Sequence, residues 1–434
     1  SLLPDGVYFT IGGVLSGPGC VNANLQLWLK AGEGVNTAFG TEIESWFDQS
    51  LNGFHPEAVN EPFKVLAGSN FNPVVRFDGT DDYFNWTTNF TNGWTAGEAF
   101  YMIKSNRATN VANGFAAWGD TETSHYTWSN QNLYDGFGTT ARKNFNPTWD
   151  IQQYGIYQSM SKAGQWTAWW NGNQEFTTAS NTVQFSQANT NLGYGNLSYF
   201  SGDIGEVILY NRELSAPEKQ RVNSYLGVKY GLTLAHDYLS GTGTTIYPIA
   251  GYNKNIAGIG RDDCQGLIQK QSKSSNVGAL LTIGIDNIIS TSNELNSGSF
   301  DTDASFLVWG DNGVTGTVAL AAESPAQCGP PPSADKRLGM IWKVVETGTV
   351  ESTKLSVDLS GAGFSTDYPV YMLVSTDAAF TSFTTFLLTN DGSNIYSTNV
   401  NFDGTKYVTF TGNTAPPANV CDGNKILSWR RPMW

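Results

Sequence analysis

The chain is predicted to be all-β: an antiparallel jelly-roll sandwich followed by a second β-sandwich domain, with one helix near 215–230. Three observations predict this. The 434 residues include 47 glycines and 13% aromatics but only 14% charged residues, the balance of strands and turns rather than of helical bundles. Apolar and polar residues alternate over short runs bounded by Gly, Asn, Asp and Ser clusters, the period of half-buried strands. A single stretch, SAPEKQRVNSYLGVKYGL, carries helical spacing together with both of its caps.

In the first half, strands are expected in LQLWLKA (25–31), NPVVRFDG (72–79), EAFYMIKS (98–105), QWTAWWNGNQEFTT (165–178) and IGEVILYNREL (204–214). Asn171-Gly172 inside the fourth is a type I′ hairpin signal, because both positions accept the positive φ that such a turn needs. The helix starts at a capping box of Ser215 and Glu218, sets Val222, Tyr225, Leu226 and Lys229 on one stripe, and ends at Gly231. It is expected to pack on the surface of the first sandwich. Strands resume in LLTIGID (280–286), SFLVWGD (305–311), GMIWKVVETG (339–348), STKLSVDLS (352–360), YPVYMLVST (368–376) and KYVTFTG (406–412). Ten of the fourteen tryptophans precede residue 238, so the two halves are built differently. The domain boundaries read as a lead-in at 1–23, the first sandwich at 24–236, a Gly/Thr-rich junction at 237–251, the second sandwich at 252–420 and a tail at 421–434.

Charge and hydropathy exclude several roles. The net charge of −14 repels nucleic acid and anionic membrane surfaces, and no apolar run reaches the length that spans a bilayer. The N-terminus lacks a basic region before its apolar stretch and reads as a mature or trimmed end. Cys20, Cys264, Cys328 and Cys421 show no metal-binding spacing. Three complete disulfide pairings are open, and Cys328 with Cys421, inside one domain, is the pair expected first.

Residues 24–236 resemble the laminin-G-like domains of the concanavalin-A-like jelly-roll superfamily, carried by NLQLWLKAGEGV (24–35), WFDQSLNG (46–53), PVVRFDGTDDYF (73–84) and SGDIGEVILYNRELSAPEKQRVNSYLGVKYGL (201–232). The second half resembles the module that follows such domains in large surface proteins of Bacteroidetes-type bacteria, through AGIGRDDCQGLIQKQSKS (257–274), FLVWGDNG (306–313), RLGMIWKVVETGTV (337–350) and YPVYMLVSTDAAF (368–380). The resemblance implies export, commonly by type IX secretion, an extracellular or outer-surface location, and adhesion or glycan binding. The C-terminal sorting domain usual in such proteins is not found, so the chain is expected to be part of a longer protein.

Candidate sites follow from residue chemistry. Asp78, Asp81 and Asp82 fall in one turn, FDGTDDYF, where clustered hard oxygens suit calcium, although Asp and Gly also favour turns for their own sake. Tyr126, Trp128, Trp169 and Trp170 are candidate sugar-stacking aromatics, with Trp169 and Trp170 sent to opposite faces by strand alternation. Catalysis is not expected. Glu42, Glu44 and Asp48 have the wrong spacing for a glucanase strand and read as a solvated strand end, no carboxylate pair is expected across an open groove, and His125 has no adjacent partner on its own face. The expected role is therefore a non-catalytic surface protein that binds a glycan or another cell-surface protein, without nucleic acid or membrane insertion. The alternatives are a structural subunit of a filament or larger assembly and, third, a polysaccharide-active enzyme. Self-assembly through VYFTIGGVL (7–15) and KILSWRRPMW (425–434) belongs to the filament reading.

Overall fold

The computed structural model describes residues 16–37, 42–188, 190–319, 334 and 336–413, together with the backbone of the short strands Val420–Asp422 and Lys425–Leu427. The described residues are nearly all β, in two consecutive sandwiches of antiparallel strands with a single α-helix between them.

The first sandwich faces an eight-stranded sheet against a six-stranded one. The larger sheet runs from Asn173–Thr178 through Gln165–Trp170, Gly155–Lys162, Ala96–Ser105 and Ser201–Tyr210 to Asn72–Asp78 and Phe63–Ser69, with Leu25–Lys30 also paired to Ser201–Tyr210. The smaller sheet orders Val35–Thr37, Ile43–Trp46, Glu57–Val59, Tyr83–Asn85, Thr190–Leu192 and Ala116–Trp118. Trp46, Trp118, Trp166, Tyr101 and Tyr157 fill the space between them. The expected hairpin is present, with Asn171 at φ 48° and Gly172 at φ 81°. The second sandwich pairs a nine-stranded sheet with a five-stranded one around an aliphatic core that includes Ile283, Leu355, Val357 and Val408.

The helix α1 spans Ala216–Tyr230, opens with the Ser215/Glu218 capping box and closes at Gly231 in the left-handed conformation. It packs on the first sandwich and buries Val222, Tyr225 and Leu226 as expected, and the second sandwich covers it in turn, which was not expected. Val222, Tyr225, Leu226, Val228 and Tyr230 join one buried cluster with Phe100, Met102 and Ile156 of the first sandwich and Ile256, Leu267, Phe306 and Val308 of the second. A helix wedged between two sheets is covered on more than one side, so its opposite face carries the small or polar Asn223, Ser224 and Gly227, all buried. A Cβ on Gly227 would sit 2.9 Å from Leu234 and Tyr238. The junction is packed as well, with Tyr238, Ile246 and Tyr247 in the same cluster.

Two further ties cross this seam. Asn72 donates through Nδ2 to the Lys229 carbonyl at 2.7 Å and to Gln269 Oε1 at 3.1 Å. Cys20, in the turn Pro18–Cys20 that lies against α1, is disulfide-bonded to Cys264 of the second sandwich. With that bond formed, Cys328 and Cys421 are the one pair left. Cys328 lies outside the described residues, and of Cys421 only the backbone is described. The apolar lead-in 7–15 also lies outside them, as does the tail beyond Leu427. No helix among the described residues is long and apolar enough to cross a membrane.

Candidate functional site

The acidic turn links two strands at one end of the first sandwich. Gly79, at φ 82°, reverses the chain after Asp78, and Arg107 Nη2 donates to its carbonyl at 2.6 Å. One carboxylate oxygen each from Asp78, Asp81 and Asp82 lies within 4.8 Å of the others, so the three predicted ligands do converge. Burial pushes the Asp82 carboxyl up to about 6 against the backbone hydrogen bond from Asp78, and the charges of Asp78, Asp81 and Glu61 add to the rise. A divalent cation would relieve that repulsion, and the donor set is of the hard type calcium takes. The same groups also serve the turn itself: Asp82 Oδ2 accepts the Asp78 N–H at 2.8 Å and Asp78 Oδ1 accepts the Thr80 N–H at 2.6 Å.

The four aromatic candidates separate. Tyr126 is fully buried in the core, its hydroxyl accepting from Trp149 Nε1 at 3.1 Å, which removes it as a ligand platform. Trp170 lies face to face with Trp149 at 4.8 Å and packs on the same core, so its alternation parity turns it inward. Trp128 is half-buried, edge-on to His125. His125 is itself buried, held through Nε2 by the Asn196 carbonyl and through Nδ1 by Arg142. Burial and Arg142 lower it to about 4 against the Asn196 bond, which leaves it neutral and locked. Trp169 alone of the adjacent pair faces the other side of the sheet, toward α1.

There it borders an open groove of about 560 Å³ lined by Trp169, Glu213, Leu214, Ser215, Ala216 and Lys219. The Lys219 ammonium stands 4.4 Å from the indole centroid, a cation–π contact that fixes both side chains. It also lies 3.7 Å from Glu213 and 3.3 Å from Glu98, while Lys162 pairs with Glu213 at 2.7 Å. Glu98 is fully buried beneath the groove and accepts from Gln158 at 2.6 Å and from the Leu214 N–H at 2.6 Å. Burial pushes its carboxyl up to about 7, against the pull of Lys219, Leu214 and Gln158. Burial also acts to raise Glu213, but its lysine partners outweigh this and hold it below the usual carboxylate range.

Glu98 and Glu213 are thus a carboxylate pair beside an open groove, which the sequence reading did not expect. Sharing one ammonium, their oxygens are at most about 7 Å apart, within the span used by glycosidases. Lys219 occupies the space between them, and Glu98 does not line the groove. Elsewhere in the first sandwich, carboxylates are spent on structure. Asp135 accepts from Tyr157, Ser124 and the Phe137 N–H, and Asp120 accepts the Trp118 N–H, both within the core. Asp48, expected at a solvated strand end, is buried and accepts the N–H groups of Trp28, Ser50 and Phe54.

Residues 218–406, from the first turn of α1 through most of the second sandwich, match a family described as a domain of unknown function, DUF8202. No curated protein sequence matches the chain. Among solved structures, a mutant of Trypanosoma rangeli sialidase displaying trans-sialidase activity is similar at 12% identity and a TM-score of 0.34, over 48% of this chain and 33% of the sialidase. The chain therefore spans about a third of the sialidase's length. Domain 4 of a GH43 extracellular arabinanase from Geobacillus stearothermophilus, in complex with arabinotriose, is similar at 13% identity and a TM-score of 0.35, over 46% of this chain and 98% of that domain. A mutant of HCR/D is similar at 12% identity and a TM-score of 0.35, over 88% of this chain and 98% of its own.

Proposed function

We propose that this protein is a non-catalytic, extracellular recognition protein of laminin-G-like type that binds glycan in the groove beside α1, in the service of adhesion at a cell surface. The observation that carries this reading is Trp169, an aromatic turned away from the core onto an open groove whose other walls are a carboxylate, an ammonium and the start of a helix. An indole supplies the apolar wall that the C–H face of a sugar ring packs against. Glu213 accepts hydrogen bonds from sugar hydroxyls and Lys219 donates to ring or hydroxyl oxygens. The Cys20–Cys264 bridge fits an oxidising compartment.

The second reading is glycoside hydrolysis, favoured by the pair itself: Glu98 is pushed up and Glu213 held down, the division of roles between an acid and a base. Lys219 weighs against it, because it fills the position that a water or glycosidic oxygen would need. Binding of the full chain to a panel of neutral and acidic oligosaccharides tests the proposal. Trp169→Ala is expected to abolish capture and Glu213→Gln to weaken it about tenfold, the worth of a charged hydrogen bond. Absence of any sugar bound, or capture indifferent to both changes, would overturn it. Turnover of aryl glycosides that disappears in Glu98→Gln would replace it with the hydrolytic reading.

A further inference from the structure

A second surface patch lies away from the groove, at the end of the first sandwich that carries the acidic turn. Tyr83 follows Asp82 directly, and Tyr194 and Tyr199 face each other across the hairpin formed by Tyr194–Gly195 and Ser198–Tyr199. The three rings form a triangle with centroids 5.8, 6.1 and 5.0 Å apart. All three are half-buried, and among the described residues none of their hydroxyls has a hydrogen-bond partner. Core tyrosines of the same sandwich differ: Tyr126 and Tyr157 have bonded hydroxyls.

At the hairpin tip Leu197 is 83% exposed and sits at φ 68°. A left-handed position suits Gly or Asn and is costly for a branched apolar residue. Here an apolar side chain is held out in water beside the three rings. Among the described residues nothing covers it.

Charge selects the occupant. Exposed Asp78 and Asp81 adjoin Tyr83, and Val59 of the next strand pairs with it. That neighbouring strand begins at exposed Glu57, and exposed Glu61 is close enough to raise Asp82. The sequence holds no Lys or Arg between Lys30 and Lys64, and among the described residues none of Glu57, Glu61, Asp78 and Asp81 is in an ion pair. Arg107 donates to the carbonyls of Gly79 and Ala112 and feels the charge of Asp78 without forming an ion pair with it. The ring planes are tilted by 43°, 44° and 48° to one another, so they form no single flat platform for a sugar ring. They present π-faces in several directions, as a guanidinium or ammonium side chain on a passing chain would use them.

We propose that the Tyr83–Tyr194–Tyr199 triad, with Leu197, is a docking surface for an arginine- or lysine-bearing polypeptide segment of a partner protein. The aromatic faces take the cationic side chains, Leu197 takes an apolar neighbour, and the surrounding carboxylates steer the approach. Two copies of this chain, each at −14, repel one another overall, so the proposal commits to a separate, basic partner.

Fluorescence anisotropy of a short peptide of alternating Arg and Gly, titrated with the full chain, tests this against a Gln/Gly peptide of equal length. The arginine peptide is expected to bind, more weakly as salt rises. Tyr194→Ala and Tyr199→Ala should each weaken it about tenfold, whereas Tyr194→Phe, which keeps the π-face, should not. Asp367→Asn, at an exposed acid of the second sandwich, and Trp169→Ala in the groove should leave it unchanged. Equal loss in Asp367→Asn and the tyrosine variants would show diffuse attraction to an acidic protein and overturn the proposal. So would binding of the neutral peptide, or displacement of the arginine peptide by a neutral oligosaccharide. Because the groove variant is neutral here, failure at the triad and failure of glycan binding are separate results.

Discussion

Two lysines of α1 each reach a fully buried glutamate, one at either end of the helix, and the contrast between them separates architecture from function. Near the C-terminal end, Glu206 accepts from Trp28 Nε1 at 2.9 Å, from the Tyr225 hydroxyl at 2.9 Å and from Lys229 at 2.5 Å. Trp28 and Tyr225 are fully buried at the seam between the sandwiches, and the Lys229 side chain is 12% exposed. Near the N-terminal end, Glu98 holds Gln158 and Leu214 equally well, but its lysine is more distant and is shared with Glu213 and with the face of Trp169. The first arrangement is complete without a ligand. In the second, a charged side chain stands between a buried acid and open water, and a bound molecule would change what it touches.

The largest expected effect breaks the sealed pair. Glu206→Ala leaves Lys229, the Tyr225 hydroxyl and the Trp28 indole N–H without their acceptor, and should lower stability by about 3 to 5 kcal/mol, as for other buried pairs that lose one member. Glu98→Ala should cost less, about 1 to 3 kcal/mol, because Lys219 keeps Glu213 and can turn toward solvent in the groove. Urea unfolding followed by tryptophan fluorescence measures both. If the two losses are equal, the open end of the helix is as structural as the closed one and the contrast fails.

The sequence made one side of this visible and hid the other. Alternation located the strands of both sandwiches, Asn171-Gly172 located a hairpin, and Ser215, Glu218 and Gly231 located α1, because each of these signals is local. The burial of α1 between two sheets was not legible. Its second face carries Asn223, Ser224 and Gly227, which look like surface residues until Gln158 and the chain at 234–239 are placed against them. The groove was half legible. Strand parity required Trp169 and Trp170 to diverge, but the choice of which faces outward rests on Trp149, which reaches Trp170 from a separate loop. Glu98, Glu213 and Lys219 come from three stretches whose meeting is a property of sheet order. Tyr126 was misjudged because a tyrosine in a polar stretch reads as exposed, whereas its hydroxyl finds a partner inside the core.

A pH experiment sharpens the comparison further. The Glu98 carboxyl is raised to about 7 in the folded protein, against about 4.3 in an unfolded chain. Its contribution is therefore full below about pH 4 and is lost as pH rises through about 7. Asp82, raised to about 6, acts in the same direction over a lower window. His125, lowered to about 4, opposes both, since stability from a neutral histidine is lost as pH falls below its unfolded value of about 6.5. Glu98→Gln removes one of these and leaves the others. Between pH 5 and pH 8 its stability should fall less than that of the unaltered protein, by a difference of the order of 2 kcal/mol. Parallel stability profiles for the two proteins would show that Lys219 and water in the groove already screen the charge.

The smallest expected effect concerns the acidic turn, where neither a sealed lysine nor an open one balances the carboxylates. Asp78 and Asp82 are already stapled to the backbone of the turn, so the fold does not depend on a metal. A cation bound only to the folded state nevertheless adds stability by mass action. Extracellular calcium sites commonly have dissociation constants of about 0.1 to 1 mM, so a few millimolar calcium should contribute about 1 to 2 kcal/mol. For a protein of this size, that is a rise of about 1 to 2 °C in the thermal midpoint over a chelator-treated sample. Asp81→Asn should remove most of the rise while leaving the chelated midpoint nearly unchanged, because Asp81 is exposed and offers no side-chain staple to the turn. Magnesium is the control, since its smaller shell demands an octahedral geometry that a flexible surface turn does not impose. An identical midpoint with calcium and with chelator would leave the three aspartates as a turn and nothing more. Such a result would also strengthen the case for the neighbouring tyrosines, since carboxylates without a bound metal remain available to attract a cationic chain.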